Sequence, residues 1–144
     1  MTLLQASARL RDATVPLTVP IGDATHALNP LTYAWAPHAQ FVERYGPSSA
    51  EAVWVGMNPG PWGMMQTGVP FGAIPAVRDY LKIDAPVEPV PDAHPKRPIE
   101  GFACTREEVS GKRLWGTIEA TMGPPERFFE RYWVVNYCPL VWQA

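Results

Sequence analysis

The chain has 144 residues, 47% of them hydrophobic, and a formal net charge of -2. That length supplies one core, and that apolar fraction argues against a disordered chain. The charge speaks against a strongly basic nucleic-acid module, though it is compatible with local basic patches.

Residues 3–12 read as a helix and 13–28 as a mixed linker. Asn29 then suits an N-cap, Pro30 the first helical position and Gly46 a stop, while Pro37 in between should kink or divide the helix. "AVWVGM" (52–57) is a short apolar run, the pattern of a buried parallel strand. A Gly/Pro loop follows it. Residues 74–82 read as a helix with Pro75 in its first turn, and 84–101 as a Pro-rich irregular segment. For 105–123 the pattern predicts a helix with Thr105 as cap, Glu108 three residues on and Gly123 as stop. Gly111 and Gly116 inside it leave room for a later start, at Ser110. A short helix at 124–132 and a second buried strand, "WVVNYCPL" (133–140), complete the pass. Strand, loop, helix, then helix and strand again is the order of a layered α/β fold with a parallel sheet.

Cys104 and Cys138 have neither CxxC spacing nor histidines around them, so two buried free thiols are expected and no metal site. No apolar run reaches membrane length and the first residues carry no secretory pattern. The expected setting is reducing and intracellular, cytoplasmic in a bacterium or nuclear in a eukaryote.

The densest chemistry lies at "VWVGMNPGPWGMMQTGVPFG" (53–72). Asn58 directly follows a strand, and in open α/β sheets ligands bind beyond the strands' carboxyl ends. Gly56, Gly60 and Gly63 remove side chains so that a ligand can approach the backbone, and Pro59 and Pro61 stiffen the corner. "GMNPGPWGMMQTGVPFG" resembles the first motif of the single-strand-selective monofunctional uracil-DNA glycosylases. "YAWAPHAQFVERY", "HPKRP", "EVSGKRLWG" and "NYCPL" resemble further segments of that family, in the family's order, over most of residues 29–140. The resemblance implies a three-layer αβα sandwich around a short, mostly parallel sheet. It also implies hydrolysis of the bond between uracil and deoxyribose in DNA, the base being flipped from the stack.

Carried over residue by residue, the resemblance makes Asn58 the water-positioning amide and Asn136, in "NYCPL", the reader of the base. A fixed carboxamide pairs with uracil's O4 acceptor and N3 donor and opposes cytosine, which reverses both. Phe71 matches the stacking aromatic. Met57 and Met64 line the pocket, and Gly60 with Gly63 leaves room at the base's C5 edge, implying tolerance of 5-hydroxymethyluracil. Trp62 stands where a Phe is usual and Met65 where a small residue is usual. The family's later His-Pro-Ser-Pro motif does not occur, and none of His26, His38 and His94 matches it. The expectation is therefore the N-terminal part of a single glycosylase-like domain spanning 1–144, nearly inactive by itself without the later motif, monomeric, with DNA as partner and no cofactor. Lys96, Arg97, Lys112 and Arg113 are the candidate phosphate contacts. No lysine lies in the loop to form a Schiff base. Two further readings stay open: a uracil-binding module without catalysis, and a hydrolase of free nucleosides.

Overall fold

Thr2 opens the first helix. Its hydroxyl accepts the Gln5 amide and the Gln5 side chain accepts the Thr2 N–H in return, capping α1 (Leu3–Thr14). The computed structural model describes all 144 residues. Within the stretch expected to be linker, His26–Leu28 forms a strand, β1. Three residues are too few for a hydrophobic period to register.

Asn29 caps the next helix as expected, accepting from the Leu31 N–H at 3.1 Å, and its amide also donates to the Thr14 hydroxyl at 3.0 Å. The helix is divided into α2 (Pro30–Tyr33) and α3 (Trp35–Tyr45). The break falls at Ala34, so Pro37 sits in the first turn of α3, where its missing N–H leaves no helical bond unmade.

β2 (Ala52–Gly56) is the expected strand. Its loop contains a short helix, α4 (Met64–Thr67). Residues Ala76–Tyr80 are helical but widen to a π-turn, the Leu81 N–H reaching the Ala76 carbonyl at 2.9 Å. The Leu81 carbonyl in turn accepts from the Tyr45 hydroxyl at 2.6 Å, which ties this turn to α3. α5 runs Val109–Met122, so the later start is the one adopted and Thr105 is not its cap. Gly123, at φ 78, ends it in the left-handed region. α6 (Pro125–Phe129) leads into β3 (Tyr132–Asn136), and β4 (Val141–Gln143) follows.

β2 and β3 pair in parallel, from Ala52↔Tyr132 to Gly56↔Asn136. β1 and β4 pair antiparallel as a separate ribbon, from His26↔Gln143 to Leu28↔Val141. A single mostly parallel sheet is thus replaced by one parallel and one antiparallel pair. The principal core is aromatic: Phe41 of α3 stacks on Trp133 of β3, while Phe128 of α6 meets Trp54 of β2 and Trp115 of α5 edge-on. Trp133 and Trp54 point to opposite faces of the pair, because neighbouring positions alternate and registered partners share a face. β2 departs from expectation in burial. Val53 and Val55 are 51% and 61% exposed, while Trp133, on the same face, stacks on Phe41 of α3.

Candidate active site

The parallel pair ends at one level, with Gly56 beside Asn136. Beyond it the backbone keeps pairing: Tyr137 donates to the Gly56 carbonyl at 2.8 Å and Cys138 to the Met57 carbonyl at 2.9 Å. The chain after Gly56 turns sharply. Gly60 and Gly63 carbonyls accept four amides from residues 63–67, winding the corner into α4.

A recess of about 160 Å³ opens at this corner. Met57, Asn58, Gly60, Gly63 and Met64 come to it from the loop, Phe71 from the loop's far end, Glu108 and Ser110 from the start of α5, and Asn136 from the end of β3. Every residue the sequence assigned to catalysis or base recognition therefore lines one small hollow. Asn58 is exposed, and its amide reaches only the Pro59 carbonyl, at 3.5 Å. Asn136 is buried, and its amide donates to the Met64 sulfur at 3.1 Å. Met57 is 80% exposed, so it belongs to the rim and not the interior.

Gly56 is a packing requirement: a Cβ there would lie 2.3 Å from the Asn136 Oδ1 and 2.8 Å from the Phe71 ring. Phe71 holds a left-handed backbone at φ 54. α5 keeps it there, through the Trp115 indole donating to the Phe71 carbonyl at 3.0 Å and through Gly111, whose absent side chain admits that same carbonyl. Behind the corner, Gln66 is fully buried with all its bonding capacity used. Its amide donates to the carbonyls of Pro61 and Pro98, and its oxygen accepts from Glu100 and Gly101. Gln66 thereby joins the corner to the Pro-rich segment. Thr67 donates to the carbonyls of Gly63 and Gly72. His38 Nδ1 donates to the Gly68 carbonyl at 2.8 Å, and burial pushes this imidazole below its ordinary range.

No protein-family model matches the chain. Individual proteins do. It is 49% identical over 116 residues to the single-strand selective monofunctional uracil DNA glycosylase of Mus musculus, covering 81% of this chain and 42% of that protein. The Bos taurus protein of the same name is 50% identical over 113 residues, and that of Rattus norvegicus 49% over 116, again at 42% of their lengths. The chain is a relative of these glycosylases. It spans about 42% of the length of the curated relatives it matches.

Two positions that depart from the glycosylase pattern have separate fates. Met65 is fully buried with Leu28, Tyr33, Ala34 and Val141, outside the recess. Trp62 lies under the Arg106 guanidinium, 4.4 Å from its ring centre, which fastens the corner to the segment that carries Glu108. The glycine hollow also differs from expectation. The space beside Gly60 and Gly63 is taken by the Glu108 side chain, whose Oε2 lies 2.7 Å from where a Gly60 Cβ would stand. Sequence reasoning read Glu108 as a helix-capping residue; it heads α5 but makes no side-chain cap bond.

The basic residues expected to meet a glycosylase's DNA lie away from the recess lining. Lys112 lines a neighbouring cleft of about 680 Å³ and is paired with Glu107 at 2.5 Å. Lys96 and Arg113 are exposed, and Arg97 half-buried. Cys104 is buried and Cys138 half-buried, a correction for the second; both are free. No cluster of three or more His, Cys, Asp or Glu side chains that could hold a metal occurs. No helix is long and apolar enough to cross a membrane.

Proposed function

We propose that this chain carries the uracil-reading recess of a DNA glycosylase, a hydrolase that cuts the N-glycosidic bond of uracil, and of 5-hydroxymethyluracil, to leave an abasic site. One observation carries the reading: Asn58 and Phe71, from opposite ends of the loop after β2, and Asn136, from the end of β3, line a single recess. In this reading Phe71 stacks on the extruded base, worth about 1–3 kcal/mol. Asn136 pairs with its O4/N3 edge, and Asn58 aims a water at the sugar carbon. The bond breaks with cation character on the sugar and anion character on the base, so orientation and electrostatics carry the catalysis. The partner is DNA, the enzyme acts as a monomer, and Lys96, Arg97, Lys112 and Arg113 contact phosphates at the periphery. The complete fold is a three-layer αβα sandwich, a reading supported by aromatic packing on opposite faces of β2 and β3.

A second reading, a uracil-binding module without turnover, is favoured by where the imidazoles lie. His38 is buried against Gly68, and His26 and His94 meet edge-on at 5.0 Å, so none lines the recess. A cleavage and binding assay on oligonucleotides with one uracil, one 5-hydroxymethyluracil or none separates the two. Release of base supports the glycosylase, and uracil-dependent binding without release supports the module. Cleavage of free deoxyuridine but not of the oligonucleotide would point to a nucleoside hydrolase and overturn both.

A further inference from the structure

Three arginines lie over aromatic rings: Arg11 on Trp35, Arg106 on Trp62 and Arg131 on Tyr132. Arg11 also pairs with Asp12 and Arg131 with Glu51, so a carboxylate offsets each of those charges. Arg106 enters none of the four ion pairs of the chain. It is exposed, and its guanidinium lies 4.4 Å from the Trp62 ring centre. A stacked guanidinium keeps its planar fork of N–H donors free at the edge, and that fork matches two oxygens of a phosphate. The stack also holds a long side chain in place beforehand, so that less freedom is lost when an anion binds.

The place of this cation indicates which phosphate it suits. Trp62 stands between Gly60 and Gly63, which line the recess, so Arg106 is fastened to the corner that forms the hollow. Arg106 also lines the neighbouring cleft of about 680 Å³, and Glu108 belongs to both linings, so the two hollows share a wall. In that cleft Arg78 and Lys112 are offset by Asp79 and Glu107. Glu108 and Glu119, which enter no ion pair, oppose an anion within the cleft, so a phosphate belongs at the corner, on the guanidinium that Trp62 holds. We propose that Arg106, seated on Trp62, binds a phosphate flanking the nucleotide whose base enters the recess; this rests on the glycosylase reading above. The contact adds to the peripheral ones a contact beside the recess itself. It carries no base preference and fixes the register of the strand over the recess. Trp is the strongest aromatic partner for a cation, which gives the departure at Trp62 from the glycosylase pattern a physical role.

Binding of single strands that carry one uracil tests the assignment and needs no turnover. One strand is unmodified, and two others carry an uncharged methylphosphonate at the linkage on the 5′ or the 3′ side of the uracil. The unaltered chain should bind one of these two about tenfold more weakly than the unmodified strand. Arg106→Gln should bind the unmodified strand about tenfold more weakly and should not distinguish it from that methylphosphonate strand. The slope of its log affinity against log salt should be shallower by about 0.7, the share of one phosphate contact on a single strand. The variant should keep the preference of the unaltered chain for a strand with uracil over one without, which shows that its recess is folded. Four results overturn the role of Arg106 and leave the DNA reading standing. They are an unaltered affinity or salt slope in Arg106→Gln, a methylphosphonate penalty as large in the variant as in the unaltered chain, no such penalty in either, and loss of the uracil preference in the variant alone. Failure of the unaltered chain to prefer the uracil strand overturns the glycosylase reading and this assignment with it.

Discussion

Trp115 donates its indole N–H to the main-chain carbonyl of Phe71 at 3.0 Å, and one helical turn earlier Gly111 makes room for that same carbonyl. A Cβ on Gly111 would lie 2.1 Å from the Phe71 oxygen. The helix thus holds Phe71 in a left-handed conformation that a residue with a side chain adopts at a cost of about 1 kcal/mol or more. Gly111→Ala is expected to push the loop away and to destabilise the chain by on the order of 1–3 kcal/mol. Thermal melting checks this. Uracil affinity should fall in parallel, because the ring that stacks is the ring that moves.

Gln66 is expected to be less tolerant than any surface polar residue. Gln66→Leu keeps the volume but orphans two carbonyls and two amides that are now satisfied. The loss should be about 3 kcal/mol or more. Chemical denaturation reads it, and a change below about 1 kcal/mol would show that the Pro-rich segment finds other partners.

Asn58 should behave in the opposite way. It is exposed and makes one long contact, so Asn58→Ala should leave stability within about 0.5 kcal/mol of the parent. In a full-length protein that releases uracil, the rate should nevertheless drop by about 100-fold. An unchanged rate would remove Asn58 from the chemistry.

At Asn136 the discriminating quantity is a ratio. The side chain is buried against Gly56 and Met64, so Asn136→Asp places a carboxyl group where the polarity of an amide is needed. Competition between uracil-containing and cytosine-containing oligonucleotides should show weaker rejection of cytosine, or uracil binding lost altogether. An unaltered ratio would reject Asn136 as the reader of the base.

His38 links pH to the support of the corner. Burial, the larger effect, holds its pKa down, and the hydrogen bond to Gly68 acts against it. Its Nε2 is buried without a partner. The unfolded chain therefore takes up a proton from about pH 6.5 downward while the folded chain resists. More protons on the unfolded state means that stability falls as pH drops through this window. Asp12, Glu51, Asp79 and Glu107, whose pKa values are lowered chiefly by hydrogen bonds to Arg11, Arg131, Arg78 and Lys112, act only at more acidic pH. Melting temperatures between pH 7 and 5.5 should decline for the parent and stay flatter for His38→Gln.

What the sequence determined by itself is local or carried by a long run of matching residues. Asn29 and Pro30 announce a helix start through short-range hydrogen-bond chemistry, and "AVWVG" announces a strand through its side chains. The ordered segments from residue 29 to 140 disclosed kinship with the glycosylases and so named Asn58, Phe71 and Asn136. The tertiary structure decided everything that depends on a neighbour distant in the chain. β1 and β4 are three residues each and exist because they pair across more than a hundred residues. The exposure of Val53 and Val55 depends on what packs over that face of the strand, not on their hydrophobicity. Gly60 and Gly63 read as empty space because a sequence records a missing side chain but not what fills its place. Glu108 fills it, and only the approach of α5 to the corner, with Gly111 letting the two backbones touch, brings that carboxylate to the recess.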